Sequence, residues 1–306
     1  MWLSLGTIAV AFASARTTIS PHMAQPAIQP RMALSVTEDA APSTMLSTMD
    51  EEALLLDPST TVKPKRGADG RLDPVLTLPG DSLETTRLMM GLTLLSTALT
   101  IGVVLRALLL SASPLVALFA VAMGGVAGEM FSGTFHWATD NYGRLETPVV
   151  GFACAAFQGH HLAPWTISHR SVWNNVYKIG TATLPLITAA VVCLPPAGAA
   201  FCAVMLYCQV LAQEFHRWSH TPPKMLAPWQ RALQSNGFAL PFAEHCAHHK
   251  PPFDKKYCIL TGGLNPLLDS EPLYFWRRLE AFFYRRNGVE PLSWQSEKVK
   301  ALALSL

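Results

Sequence analysis

The sequence is short of charge, lacks any paired-cysteine pattern and has no acidic residue over a long stretch near its start, and each shortage excludes something. Only 14% of the 306 residues are charged while half are apolar, which is too oily for an ordinary soluble domain and points to a membrane protein. A formal net charge of +2 leaves no electrostatic footprint for a nucleic acid. The six cysteines, Cys154, Cys193, Cys202, Cys208, Cys246 and Cys258, include no CxxC and no regular spacing. They read as small hydrophobes in a reducing compartment, and Cys246, although it sits between histidines, reads as a bystander thiol.

Acidic residues are missing from Arg16 to Thr37, where Ser, Thr, Ala and Pro accompany two arginines. This is transit-peptide composition, and it follows a short apolar run, Leu3 to Ala15, that ends in the small residues Ala13-Ser14-Ala15. Together they predict a two-part plastid address over residues 1–37, with cleavage near Arg31-Met32-Ala33. Residues 38–82 turn acidic, Pro-rich and aperiodic, which predicts a disordered linker. Order is expected from Leu83, with a membrane domain over 83–295 and a C-terminal tail over 296–306.

Four apolar runs predict an all-α integral membrane bundle of about four spans, at 88–110, 115–135, 181–194 and 197–212. The last two, divided by Pro195-Pro196, are marginally long for crossing. Arg106 in the first run can snorkel to the far interface. The second is rich in glycine (Gly124, Gly125, Gly128, Gly133), which permits close helix approach, and contains Glu129, an acid expected to face the bundle or to serve function. In this layout Lys63, Lys65, Arg66, Arg87, Arg144, Arg170, Lys178 and Arg217 share one side with every histidine cluster, whereas the loops around Ala112 and Pro195 carry no Lys or Arg. Such a bias marks the cytoplasmic or, in a plastid, the stromal face.

What is abundant is histidine. Nine of ten lie between positions 136 and 249, too concentrated for chance. They form His136-x-x-x-Asp140, Gln158-Gly159-His160-His161, His216-x-x-x-His220 and His245-x-x-His248-His249. Residues four apart share a helix face and can grip one ion. Eight histidines and one aspartate exceed the four ligands of a tetrahedral zinc site and suit two ions held mostly by imidazole, with iron the natural choice for redox work. A histidine-rich diiron cap on the stromal or cytoplasmic side is the expectation.

The order HxxxD, QxHH, HxxxH, HxxHH in a four-span chain resembles the membrane fatty-acyl desaturases, and more narrowly the lipid desaturase family. The plastid branch is matched by Phe131-Ser132-Gly133-x-Phe135-His136-Trp137-x-x-Asp140-Asn141-Tyr142-Gly143, by Ala156-Phe157-Gln158-Gly159-His160-His161-x-x-Pro164-Trp165-Thr166-Ile167, by Asn174-Asn175, and by Tyr257-Cys258-Ile259-x-x-Gly262 with Asn265. The resemblance covers about residues 85–295. It implies metal ligands at His136, Asp140, His160, His161, His216, His220, His245, His248 and His249, leaving Glu244 out and His169 as a neighbour of the metals or the substrate. It also implies two iron ions that use O2 and two external electrons to remove hydrogen from adjacent carbons of an acyl chain, a step beyond the pKa range of any side chain acting alone. On the plastid branch the product is a trans double bond at carbon 3 of the palmitoyl group of phosphatidylglycerol. Arg144, Trp165, Arg170, Asn174, Asn175 and Arg217, with Trp173 and Lys250, are the candidates for holding the phospholipid. No cytochrome b5-like or flavin domain is fused, so a separate donor is expected, in a plastid a ferredoxin. Two alternatives stay open: a plasmanylethanolamine desaturase or related diiron hydroxylase, and, more distantly, a non-catalytic membrane metal- or haem-binding module.

Overall fold

Four long apolar runs become four helices of 22 to 28 residues, each long and apolar enough to cross a membrane. The structure, a computed structural model, describes residues 65–306 apart from 68, 69 and 79. The expected targeting segment and most of the expected linker lie outside those residues. Helix α1 (Arg87–Leu110) is capped by Thr86, and α2 (Pro114–Asn141) by Ser113 with Pro114 in the first turn. The short α3 (Gly151–His160) and a 3-10 turn (Pro164–His169) lead to α4 (Val172–Cys193), which is capped by Ser171, and α5 (Pro196–Ser219) returns. Smaller helices complete the chain: α6 (Pro228–Ser235), α7 (Phe242–His248), α8 (Asn265–Leu268), α9 (Phe275–Asn287) and α10 (Glu297–Ser305). The described residues contain no strand, only an isolated bridge between Arg66 and Leu72.

Three spans are longer than hydropathy predicts. Helix α2 runs past position 135 to Asn141, α4 starts at Val172 rather than near 181, and α5 continues past 212 to Ser219. Helices α4 and α5 are therefore of full spanning length, contrary to the expectation of marginal segments. The reason is that the polar residues at these ends are buried and partnered inside the cap. Asn175 Nδ2, for example, donates to Gln213 O at 3.0 Å and to Glu214 Oε2 at 3.1 Å, joining α4 to α5.

Small residues set how close the spans come. A Cβ on Gly124 would lie 2.7 Å from Phe201 O, and one on Gly128 only 2.4 Å from Cys208 Cβ, so α2 and α5 touch backbone to side chain. At the end away from the histidines the core is built from Val103, Ala107, Ala117, Ile187, Ala199, Ala200 and Ala203. Large apolar side chains such as Leu109, Phe119 and Val192 point outward, where a bilayer would cover them.

The C-terminal part folds back along α2. Thr261 N donates to Glu129 Oε2 at 2.8 Å and Ile259 N to Ser132 Oγ at 3.3 Å, and a Cβ on Gly133 would meet Cys258 Sγ at 2.5 Å. Next along, Tyr257 O lies 3.0 Å from His136 Nδ1. Residues 257–261 thus lie antiparallel to α2, and buried Glu129 is the far fastening of that contact.

The near end of the expected linker is tied down as well. Val75 N donates to Thr166 Oγ1 at 2.9 Å, Trp165 Nε1 to Asp73 O at 3.0 Å and Arg71 to Ser168 O at 3.1 Å, while Arg170 pairs with Asp81. The described residues 70–78 and 80–82 form a strap across the 3-10 turn, so order begins before Leu83.

Candidate metal centre

Four helix C-termini deliver the histidines. His136 and Asp140 occupy the last turns of α2, His160 ends α3, His216 and His220 end α5, and His245 and His248 belong to α7. Helix C-termini carry partial negative charge and favour cations. The nine expected ligands come together as two groups, His160, His216, His220, His245 and His249 in one, His136, Asp140, His161 and His248 in the other. Within each group the ligand atoms all lie within 4.8 Å of one another.

The first group is frustrated without a cation. The Nε2 atoms of His160, His216 and His220 form a triangle with sides of 3.0, 3.0 and 3.2 Å. Each neutral ring nitrogen either donates or accepts, so among three atoms in mutual contact at least two play the same role and repel. His245 Nε2 and His249 Nε2 are 2.9 Å apart beside them. Burial, reinforced by neighbouring imidazoles, holds the pKa values of His160, His220, His245 and His249 well below the usual histidine range. Neutral rings crowded through their lone pairs are what a metal ion requires.

The second group repeats the argument with a carboxylate. His136 Nδ1 lies 3.0 Å from Tyr257 O and His248 Nδ1 2.7 Å from Lys255 O. A carbonyl only accepts, so both rings carry their proton on Nδ1 and turn a bare Nε2 inward. Those Nε2 atoms stand 3.2 and 3.3 Å from Asp140 Oδ2, acceptor against acceptor. His161 Nε2 is 3.6 Å from the same oxygen, and neither Asp140 oxygen has a hydrogen-bond donor. Burial keeps His161 below the ordinary histidine range too. A buried carboxylate facing lone pairs is costly unless a cation sits among them.

The chain belongs to the lipid desaturase domain family. That family's model matches residues 126–294, which include all nine residues of the two groups. Among curated relatives, chloroplastic fatty acid desaturase 4 of Arabidopsis thaliana is 37% identical over 178 residues, 56% of this chain and 54% of the relative. Plasmanylethanolamine desaturase 1 of Mus musculus is 32% identical over 205 residues, 61% of this chain and 73% of the relative. The Myxococcus xanthus plasmanylethanolamine desaturase is 32% identical over 183 residues, covering 57% and 63%. The chain spans little more than half the length of the Arabidopsis protein. No solved structure matches.

Residues left out of the ligand set are occupied elsewhere. Glu244 pairs with Lys256 at 2.8 Å, and burial pushes the Cys246 thiol up to about 12, so it stays neutral. His169 Nε2 lies 2.9 Å from Leu72 O and serves the strap. Most of the expected lipid-holding residues are also engaged by the chain itself. Arg170 is held by Asp81, Ser82 O and Asn174; Asn174 Nδ2 donates to Ser82 O and Glu84 O; Arg217 is paired with Glu214; Trp165 donates to the strap. Arg144 stays largely exposed, 3.5 Å from Glu146. The orienting carbonyls of Tyr257 and Lys255 were not foreseeable from spacing, although Tyr257 lies in one of the matched motifs.

Proposed function

We propose that this lipid desaturase holds two iron ions, one among His160, His216, His220, His245 and His249 and one among His136, Asp140, His161 and His248, and desaturates an acyl chain of a membrane phospholipid. The observation that carries the reading is the pair of buried groups whose ligand atoms all lie within 4.8 Å of one another, with His136 Nε2 and both Asp140 oxygens left without a hydrogen-bond partner. Bound there, iron would supply the O2 activation that an unactivated C–H bond demands. The protein's own contributions are geometric. Tyr257 O and Lys255 O fix the tautomers of His136 and His248, burial of the rings excludes water, and α2 and α5 hold His136 and His216 with ring centres 6.1 Å apart.

The substrate we infer is the palmitoyl group of plastid phosphatidylglycerol, with a trans double bond formed at carbon 3. Support comes from the motifs around His136 and His160 and from 37% identity to two chloroplastic Arabidopsis desaturases. We infer further that the site faces the stroma, on the side richer in Lys and Arg, and that a ferredoxin supplies the two electrons. The second reading, a vinyl-ether-forming plasmanylethanolamine desaturase, is favoured by the relatives from mouse and Myxococcus. Expression in a host lacking both products, followed by profiling of separated phospholipid classes, distinguishes them. Trans-3-hexadecenoate in phosphatidylglycerol is expected; plasmalogen would select the second reading, and product persisting in His248→Ala would overturn the ligand assignment.

A further inference from the structure

Between α2 and α3 the chain turns tightly, with Val149 at the tip. Val150 N donates to Pro148 O at 2.8 Å, closing a three-residue turn around Val149, whose φ is 69°. Positive φ at a β-branched residue is a genuine outlier, and this γ-turn is the rare, strained form. The surroundings enforce it. Arg144 N donates to Thr147 Oγ1 at 2.9 Å, Thr147 N to Arg144 O at 2.9 Å and Gly151 N to Thr147 O at 2.8 Å. A Cβ on Gly151 would lie 2.1 Å from Leu145 O, so the base of the turn is closed too tightly for any other residue.

This fixed turn holds apolar groups outward. Val149 is 98% exposed, beside Leu145 at 44% and Phe152 at 42%. In water both the strain and the exposure are unfavourable, and a glycine or asparagine would remove both. The tip follows the histidine-bearing end of α2 by only a few residues. Two cations flank it, Arg144, which lies 3.5 Å from exposed Glu146, and Lys178, whose Nζ lies 3.8 Å from the Phe152 ring centre. Apolar groups with basic neighbours at the mouth of a membrane helix match the chemistry of the lipid interface.

We propose that residues 145–152 form a rigid wedge seated in the leaflet on the histidine side, with Val149 among acyl chains and the Arg144–Glu146 pair and Lys178 at the level of the phosphates. Helix α3 begins at Gly151 and ends at His160, so the wedge fixes the depth of that ring about 14 Å away along the helix. Insertion needs neither iron nor desaturase chemistry. Only its effect on turnover rests on the reading above.

A nitroxide on Val149→Cys, in a Cys193→Ser, Cys202→Ser background, is compared with one on Ser235→Cys of α6 in phosphatidylcholine–phosphatidylglycerol vesicles. Collisions with O2 should exceed those with a water-soluble nickel chelate at position 149, and the order should reverse at 235. Chelate-dominated collisions at 149 would overturn the wedge. Val149→Asn, which tolerates positive φ, should raise the melting temperature in detergent by a few degrees while raising KM for vesicle lipid several-fold at unchanged kcat. A stability gain with unchanged KM would overturn the wedge's part in turnover, while its insertion stands or falls on the collision rates. A lipid-embedded label at position 149, together with a wild-type protein that shows no desaturase turnover, would sink the functional reading and leave the wedge standing.

Discussion

The imidazoles of His160 and His161, neighbours along the chain, have ring centres 6.2 Å apart and belong to different groups. His160 contacts His216 and His220, whereas His161 faces His248 and Asp140. One doublet therefore couples the two halves of the site, and His248-His249 does the same from α7.

This division predicts unequal losses. His161→Ala leaves three donors in its group and His160→Ala leaves four. Iron per chain should fall from two towards one in His161→Ala and by less in His160→Ala, measured by elemental analysis of purified protein.

Metal-free protein should lose stability on acidification. His160, His161, His220, His245 and His249 have folded pKa values below the ordinary value near 6.5. Below about pH 6.5 the unfolded chain therefore binds more protons than the folded one, and stability falls as pH falls. Melting temperatures of the metal-free protein should be flat from pH 8 to 7 and drop steadily from pH 6.5 to 5. A flat profile across that range would count against neutral, buried rings.

The contact between α2 and α5 should tolerate no extra carbon. Gly128→Ala places a methyl 2.4 Å from Cys208 Cβ and should cost about 1–3 kcal/mol. Because His136 and His216 ride on these helices, iron should be lost with it. Gly125→Ala, with nothing within 4 Å, should behave as wild type in thermal melts and iron content.

Tyr257 separates a ring from its own backbone. Its hydroxyl donates to Phe253 O at 2.6 Å and accepts from Asn141 Nδ2 at 3.0 Å, while its carbonyl receives His136 Nδ1. Tyr257→Phe takes the hydroxyl donor from Phe253 O and leaves Asn141 Nδ2 with Trp137 O alone, a loss of about 1–3 kcal/mol. Iron should be retained, since the carbonyl remains. Loss of iron from a still-folded Tyr257→Phe protein would contradict this.

The convergence of the nine residues into a buried cluster was legible because their spacings are a one-dimensional property of the chain. The true start of α4 was not, because Asn174, Asn175 and Lys178 look like loop residues until their partners Ser82, Glu84, Gln213 and Glu214 and the Phe152 ring are known. The ion pairs of Arg170 and Arg217 were not legible for a similar reason, since Asp81 lies far away in sequence and Glu214 reads as part of an ordinary helix. The sharing of each histidine doublet between two groups depends on side-chain direction at the ends of α3 and α7, which helical period alone does not report.

The antiparallel run of residues 257–261 along α2 also sets an order of assembly. Both groups need residues from 245–249, and the His136 tautomer needs Tyr257, so neither group is complete until residues 245–249 have been made, and His136 is not oriented until Tyr257 follows. All four long helices precede that point in synthesis. Assembly of the two groups is therefore a late step in the life of the chain, and a chain interrupted before His245 can carry all four long helices yet complete neither group.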